Sequence, residues 1–373
     1  MKVLVSVFNN LSTDQRVEKV CRTLAENGFS IELIGNNWGG LPVLKRDYPV
    51  SRIVLKSKIL RYAYLEFQWK LYRELLKKAD HDTILFSNDL DTLLPNYLVS
   101  KKLNLPLVYD SHEIFTEMPS VNGRFTQNIW RSLESFIAPK LNFMMTASES
   151  YADWFHKTYK IDRPVVVQNF PVKSENPQDY SKINSPKIIL YQGVINPSRG
   201  LDKMIPEMHK IENAELWIAG DGPKKTDFQE LTKNLGLEEK VKFIGKLLPE
   251  NLREVTQKAD VGLSIEENNG LSYYFSMPNK ISDYIQARIP VVVSDFPEMR
   301  KVADHFNAGE KIRNYSELAE KIQVVLTQGK QFYEDALNHA ASQLCWENEE
   351  HKLLSLFNKI KSVFEEDFFV SKP

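Results

Sequence analysis

Hydrophobic and polar positions fall into two successive alternations of short apolar runs and amphipathic stretches. The first opens at Lys2-Val3-Leu4-Val5-Ser6-Val7, which reads as a strand, followed by a helix from about Asp14 to Asn27 and a strand over Ser30–Ile34. Further strands are expected at 83–87, 106–109, 142–146 and 164–167, with helical patterns between several of them. Such alternation implies right-handed βαβ units and a mostly parallel sheet. From Pro171 to Pro186 the chain is rich in Pro, Ser, Asn and Lys with little apolar periodicity, and reads as a linker. The second alternation follows: strands at 187–192, 215–219, 241–244, 261–265 and 290–293, with helices at about 200–211, 224–235 and 248–257 and one opening at Pro278. A long helical pattern over Glu347–Phe364 comes after Trp346.

These patterns predict an N-terminal domain over 1–170, a C-terminal domain over 171–345, and a helix over 346–373 that packs back toward the first. A chain of 373 residues suits two cores. Doubly wound domains take ligands outside the carboxyl ends of their strands, and a cleft between domains is the usual place for a small molecule. The net charge of −1 gives no sign of nucleic-acid binding. Cys21 and Cys345 have neither zinc nor C-x-x-C spacing and read as reduced buried thiols of a cytoplasmic protein. No leader pattern precedes the first strand, and no run of 18 apolar residues would cross a membrane.

Chemistry concentrates at Ser276–Asp295. Pro278 is pre-set for the first turn of a helix, where its missing N–H costs nothing. Lys280 and Asp283 then share one face near the helix start. A cation at a helix N-terminus attracts phosphate, and a carboxylate one turn later can accept two hydrogen bonds from a ribose diol. An ordinary i,i+3 ion pair on a surface helix gives the same pattern.

Three further loops follow strands of the second half. Gly193–Gly200 is turn-rich and brings Arg199 to a helix start, where guanidinium and backbone N–H groups can grip phosphate oxygens. Gly220-Asp221-Gly222-Pro223 is a tight turn that lets backbone approach something closely. Gly245-Lys246-Leu247 can offer backbone groups to a nucleobase edge.

In this order and spacing, these segments resemble the C-terminal domain of GT-B glycosyltransferases, specifically the retaining family 4 group (glycosyl transferases group 1), over roughly residues 187–300. The resemblance implies an α/β GT-B fold, two doubly wound Rossmann-like domains facing each other across a cleft. It implies a nucleoside diphosphate sugar as donor. In that family a Gly-Arg…Lys-Gly loop holds the diphosphate with two cations; here Val194 takes the arginine position and Arg199 the lysine position. Arg199, Gly193 and Lys280, with Lys280 supplying the second cation, are the expected diphosphate ligands. Asp283 corresponds to the family glutamate that binds the ribose, and Gly220, Gly222, Lys246 and Leu247 complete the nucleoside side. The first glutamate of the family's Glu-x7-Glu motif would fall on Phe275, so either Glu266 or Glu267 is expected to reach the donor sugar, with Glu267 carried as catalytic.

Asn9–Val17 replaces a dinucleotide glycine fingerprint after the first strand, which argues against NAD there. The loop resembles an acceptor-side segment of these transferases and assigns Asn10, Asp14 and Arg16 to the acceptor; Asp14 also suits a helix N-terminal charge. Asp110-Ser111-His112-Glu113 ends a buried strand, and His112 matches the family histidine beside the transferred sugar, which hydrogen-bonds the sugar or stabilises developing charge. Asn88-Asp89-Leu90-Asp91, after strand 83–87, is a second polar strand end, a pattern that simple helix capping also gives.

The resemblance implies sugar transfer to an acceptor hydroxyl with retention of configuration, no cofactor and no metal, fixed cations serving the departing diphosphate. Arg52 to Lys78 carries eight Lys/Arg and two Glu interleaved with Tyr62, Tyr64, Phe67, Trp69 and Tyr72. Such a helix can lie on anionic lipid heads or pack inward with snorkelling cations. The lipid alternative points to a lipid-linked oligosaccharide acceptor, as in bacterial surface polysaccharide assembly, and to the inner face of the plasma membrane. A GT-B epimerase or phosphorylase and a non-catalytic GT-B subunit are the rival readings.

Overall fold

The computed structural model describes residues 1–12, 14–40, 44–175 and 183–370, with side chains through Phe364. Part of the expected linker and Thr13 of the Asn9–Val17 loop lie outside them. The chain forms two compact units: one is Met1–Gln168 with the chain from Glu349 onward, the other Asn169–Asn348.

The first unit contains seven strands: β1 (Lys2–Ser6), β2 (Ser30–Asn36), β3 (Val50–Ile53), β4 (Thr83–Asn88), β5 (Leu107–Ser111), β6 (Phe143–Thr146) and β7 (Val165–Val166). All pairings are parallel, in the order β3-β2-β1-β4-β5-β6-β7. Val3, Leu4 and Val5 are fully buried because helices cover both faces of a parallel sheet, which is why the sequence there is an apolar run rather than an alternation. β3 escapes the sequence pattern: Val-Ser-Arg-Ile is an edge strand with one neighbour and three half-buried residues, so no apolar run marks it.

The second unit contains β8 (Lys187–Gln192), β9 (Ala214–Ala219), β10 (Val241–Gly245), β11 (Val261–Ser264), β12 (Val291–Ser294) and β13 (Gly309–Ile312). They too are parallel throughout, in the order β10-β9-β8-β11-β12-β13. The helix expected to open at Pro278 spans Asn279–Gln286, and Pro278 stands before it in extended conformation with ψ 132°. Lys280 is therefore in the first turn.

The last helix spans Trp346–Val370. Its Phe357 is fully buried, with ring centroids 5.7 Å from Phe29 and 5.5 Å from Phe86, and Glu349 accepts the Gln168 N–H at 2.9 Å. The helix belongs to the first unit from Glu349, three residues beyond the expected start at 346.

In both sheets the chain order reverses beside the first strand, between β1 and β4 and between β8 and β11. Helices leave on opposite faces there, and the crevice they open at the strand carboxyl ends is where doubly wound sheets receive ligands.

Candidate functional sites at the two switch points

In the second unit, the loop after β8 is fitted backbone-to-backbone against its neighbours. Gly193 N–H donates to the Ala219 carbonyl and Ile195 N–H to that of Asp221, each at 2.9 Å, and Glu267 N–H donates to Ser198 at 3.0 Å. A Cβ at Gly220 would lie 1.9 Å from the Gly193 carbonyl oxygen, and one at Gly222 2.5 Å from that of Ile195. These two positions must be glycine because the protein's own loop fills the space, a reason that needs no nucleoside. Gly200 is likewise pressed on the Ile265 carbonyl oxygen, 2.3 Å from where its Cβ would stand.

That packing brings Arg199 to the end of β11. There the Glu266 carboxylate is 1% exposed, with Lys280 Nζ 2.8 Å and Arg199 Nη1 3.6 Å from the same oxygen, Oε1. Ser264 Oγ donates to the other oxygen at 2.8 Å, and Ser294 Oγ donates to the Glu266 carbonyl at 2.8 Å. Each cation also faces a ring. Lys280 Nζ is 4.2 Å from the Tyr191 centroid and Arg199 Cζ 4.8 Å from that of Tyr273. Burial pushes the Glu266 carboxyl up, but the charges of Lys280 and Arg199 prevail and hold it below its ordinary range. Two cations and one carboxylate leave a local excess of positive charge at the switch point.

Gly193 borders this cluster, with Lys280 Cε 3.7 Å from its Cβ direction. Asp283 is half-buried and accepts Gln192 Nε2 at 3.1 Å, while Gln192 Oε1 accepts the Thr256 hydroxyl at 2.7 Å. Lys246 is exposed and Leu247 half-buried after β10, whose Gly245 carbonyl accepts Gly220 N–H at 2.8 Å. Glu267, expected to be catalytic, receives Asn269 Nδ2 on its carboxylate at 3.4 Å. The neighbouring glutamate, Glu266, is the one that joins Arg199 and Lys280.

In the first unit a second cluster stands on β4 and β5. Arg16 is 3% exposed. Its Nε and Nη2 donate to Asp110 at 2.9 and 2.7 Å and its Nη1 to the Val167 carbonyl at 2.6 Å. The guanidinium expected on the acceptor side is thus held by Asp110 and the Val167 carbonyl. Asp14 caps the helix Gln15–Glu26 through Val17 N–H at 3.0 Å and accepts Asn9 Nδ2 at 2.8 Å. Asn10 closes its own turn by accepting Ser12 N–H and the Ser12 hydroxyl at 3.1 and 2.6 Å.

His112 sits between carboxylates. Its Nδ1 is 3.2 Å from Asp89, its Nε2 3.2 Å from Asp110, and its backbone N–H donates to Asp89 at 2.9 Å. Burial opposes the charge, but Asp89 and Asp110 outweigh it and raise the imidazole pKa to about 9. Burial likewise disfavours the Asp110 carboxylate, yet Arg16 and His112 bring its pKa down to about 2. His112 is therefore a fixed cation at neutral pH.

Asp89 is the residue sequence reasoning missed here. It makes no side-chain cap bond to the helix Leu90–Leu103, contrary to the capping expectation. Its backbone, at φ 58° and ψ 168°, lies where L-residues are strained by about 1–3 kcal/mol. Its N–H is fixed to the Asp110 carbonyl at 2.8 Å while its carboxylate grips His112. Its only sequence signal is a polar strand end, and the pairing of β4 with β5 gives that signal meaning.

Two Rossmann-like units of parallel strands, each with charged side chains at its switch point, and in one a cation of a glycine-fitted loop paired with a cation of a helix start, have the build of a GT-B glycosyltransferase. Residues 14–170 match the profile of Glycosyltransferase Family 4 and residues 172–342 that of Glycosyl transferases group 1, and the chain belongs to this family. Among curated proteins it is 30% identical over 110 residues to the phosphatidylinositol N-acetylglucosaminyltransferase GPI3 subunit of Saccharomyces cerevisiae, covering 28% of this chain and 24% of that one. The chain thus spans about a quarter of that relative's length. The solved sucrose-phosphate synthase of Thermosynechococcus elongatus superposes with a TM-score of 0.79 at 14% identity, over 97% of this chain and 100% of the other. Anabaena HepE in complex with UDP-glucose gives 0.72 at 14% identity, over 96% and 100%. At such identities the superpositions speak for the fold.

Proposed function

We propose that this glycosyltransferase moves a sugar from a nucleoside diphosphate sugar to an acceptor hydroxyl with retention of configuration, in the assembly of a surface polysaccharide or glycolipid. The observation that carries the reading is the convergence of Arg199, from a loop, and Lys280, from a helix start, at one point of the β8/β11 switch. Such a pair, held before any ligand arrives, suits a pyrophosphate whose charge grows as it leaves. Asp283 would accept the ribose hydroxyls, and backbone groups at Lys246 and Leu247 would meet the base. In the transfer, the bond from the anomeric carbon to phosphate breaks and the bond to the acceptor oxygen forms. The acceptor proton passes to the departing diphosphate oxygen. Arg199 and Lys280 take the place of a metal, and His112 contributes a fixed positive charge to the first unit's side of the reaction.

The acceptor is proposed to be lipid-linked, reached by peripheral contact with an anionic membrane. On the helix Leu60–Lys78, Ala63, Phe67, Leu71 and Leu75 face the core, while Tyr62, Leu65 and Trp69 are exposed, Trp69 at 62%. Phe125, 80% exposed, and Ile129 do the same on the helix Phe125–Ile137. Exposed apolar side chains beside Lys58, Arg61, Arg73 and Lys77 support such a contact. Lys70 and Lys78 are already paired with Glu66 and Glu32. No helix among the described residues is long and apolar enough to cross a membrane. The GPI3 relative, by its name, acts on phosphatidylinositol.

A thermal-shift panel of UDP, GDP, ADP and CDP should single out one nucleotide, whose sugar conjugate then serves as donor. With it, Lys280→Ala should lower turnover roughly 100-fold, and wild-type turnover should persist in EDTA. Full activity in Lys280→Ala would remove that residue from the site.

A further inference from the structure

We propose that Glu266 is a resident counter-ion of the diphosphate site: it holds Arg199 and Lys280 together while the site is empty and speeds release of the nucleoside diphosphate after transfer. The proposal rests on the diphosphate reading above and adds to it a residue that opposes product binding. Two cations aimed at one point repel each other, and some anion must hold them there between turnovers. Glu266 does so from inside the protein, with Lys280 Nζ and Arg199 Nη1 at 2.8 and 3.6 Å from a single oxygen.

The carboxylate is anchored rather than mobile. Ser264, at the end of β11, donates to its free oxygen at 2.8 Å, and Ser294, at the end of β12, donates to its backbone carbonyl at 2.8 Å. It is 1% exposed while Lys280 and Arg199 are 9% and 24% exposed, so an arriving pyrophosphate would meet the cations before the carboxylate. Glu266 and the ligand would then share the two cations. Like charges so close, with little water between them, repel strongly. The departing diphosphate carries more negative charge than it did as part of the donor. The repulsion therefore falls hardest on the product, and an affinity lowered for product more than for donor favours turnover.

A different role is open to this carboxylate, namely accepting a hydroxyl of the donor sugar. The two roles part on ligands that have no sugar. Calorimetric titration with inorganic pyrophosphate, then with UDP, GDP, ADP and CDP, decides between them. Removing the charge in Glu266→Gln should tighten pyrophosphate binding about tenfold or more, and Glu266→Ala should do likewise. Glu266→Asp, which keeps the charge, should stay within about threefold of wild type. Steady-state kcat in Glu266→Gln should fall while a burst of the first turnover remains, the sign of slow product release. Melting curves for each variant establish that the folded protein is being titrated. Pyrophosphate binding that is unchanged or weaker in both folded charge-free variants would overturn the proposal. No pyrophosphate or nucleotide binding by wild type or variants would instead bring down the diphosphate site itself.

Discussion

His112 is charged because of what lies on either side of it. A buried imidazole would lose its proton, yet Asp89 and Asp110 hold that proton up to about pH 9. A folded-state value above the ordinary 6.5 means stability fully present below that ordinary value and lost as pH rises through about 9. Thermal melting from pH 6 to 10 should therefore fall off for wild type between roughly pH 7 and 9, and His112→Gln should lack that component. The turnover of wild type should decline only as pH rises through about 9, where the folded imidazole becomes neutral and no longer supplies the charge. A melting profile identical in both proteins would show that His112 is not held as a cation. Asp89, in its strained backbone, is the positioning residue of this group: it touches the imidazole and the strand beside it. The same pattern recurs in the second unit, where Glu266 orders Lys280 and Arg199. In both clusters the residue that organises the charge was the harder one to find. Arg199 and Lys280 stand out in the sequence because cations at loop and helix starts suggest anions, and His112 because it matches the family histidine at a strand end. A carboxylate that serves other side chains looks like any loop carboxylate, as Glu266 did beside Glu267.

At the scale of elements, what could be read from the chain and what could not divides along burial. Central strands such as β1, β8 and β12 announce themselves as apolar runs because both faces are covered. The edge strands β3 and β13, Val-Ser-Arg-Ile and Gly-Glu-Lys-Ile, break their apolar residues with charged ones and, unlike the edge strands β7 and β10, leave no periodic trace. The last helix is visible as a period, but its contacts are not, since nothing local says that Phe357 meets Phe29 and Phe86. That contact ties the chain's end to the first unit's core. Phe357→Ala should destabilise the first unit by about 3–5 kcal/mol, read by urea denaturation of the full chain. A loss below about 1 kcal/mol would mean that the helix is not part of that core. The glycines teach a related lesson. Gly220 and Gly222 were read as making room for a ligand, and their neighbours show room made for the Gly193–Gly200 loop.

For the whole molecule, two similar sheets reverse strand order beside their first strand, and each carries a charged cluster at that reversal. Strand order is a property of the assembled sheet, so the closeness of Asp89 to His112 or of Glu266 to Arg199 had no sequence signature. The spacing of the loops nonetheless gave the family, because each loop follows its strand at a fixed distance whatever the order of strands. The central claim is that Arg199 and Lys280 act together on one pyrophosphate. A double-mutant cycle on the dissociation constant of the nucleoside diphosphate selected by the thermal panel tests it most directly. Arg199→Ala and Lys280→Ala should each weaken binding at least tenfold, and the double variant should fall short of the product of the two losses, because both cations serve one ligand. Dissociation constants unchanged in both single variants would contradict the account.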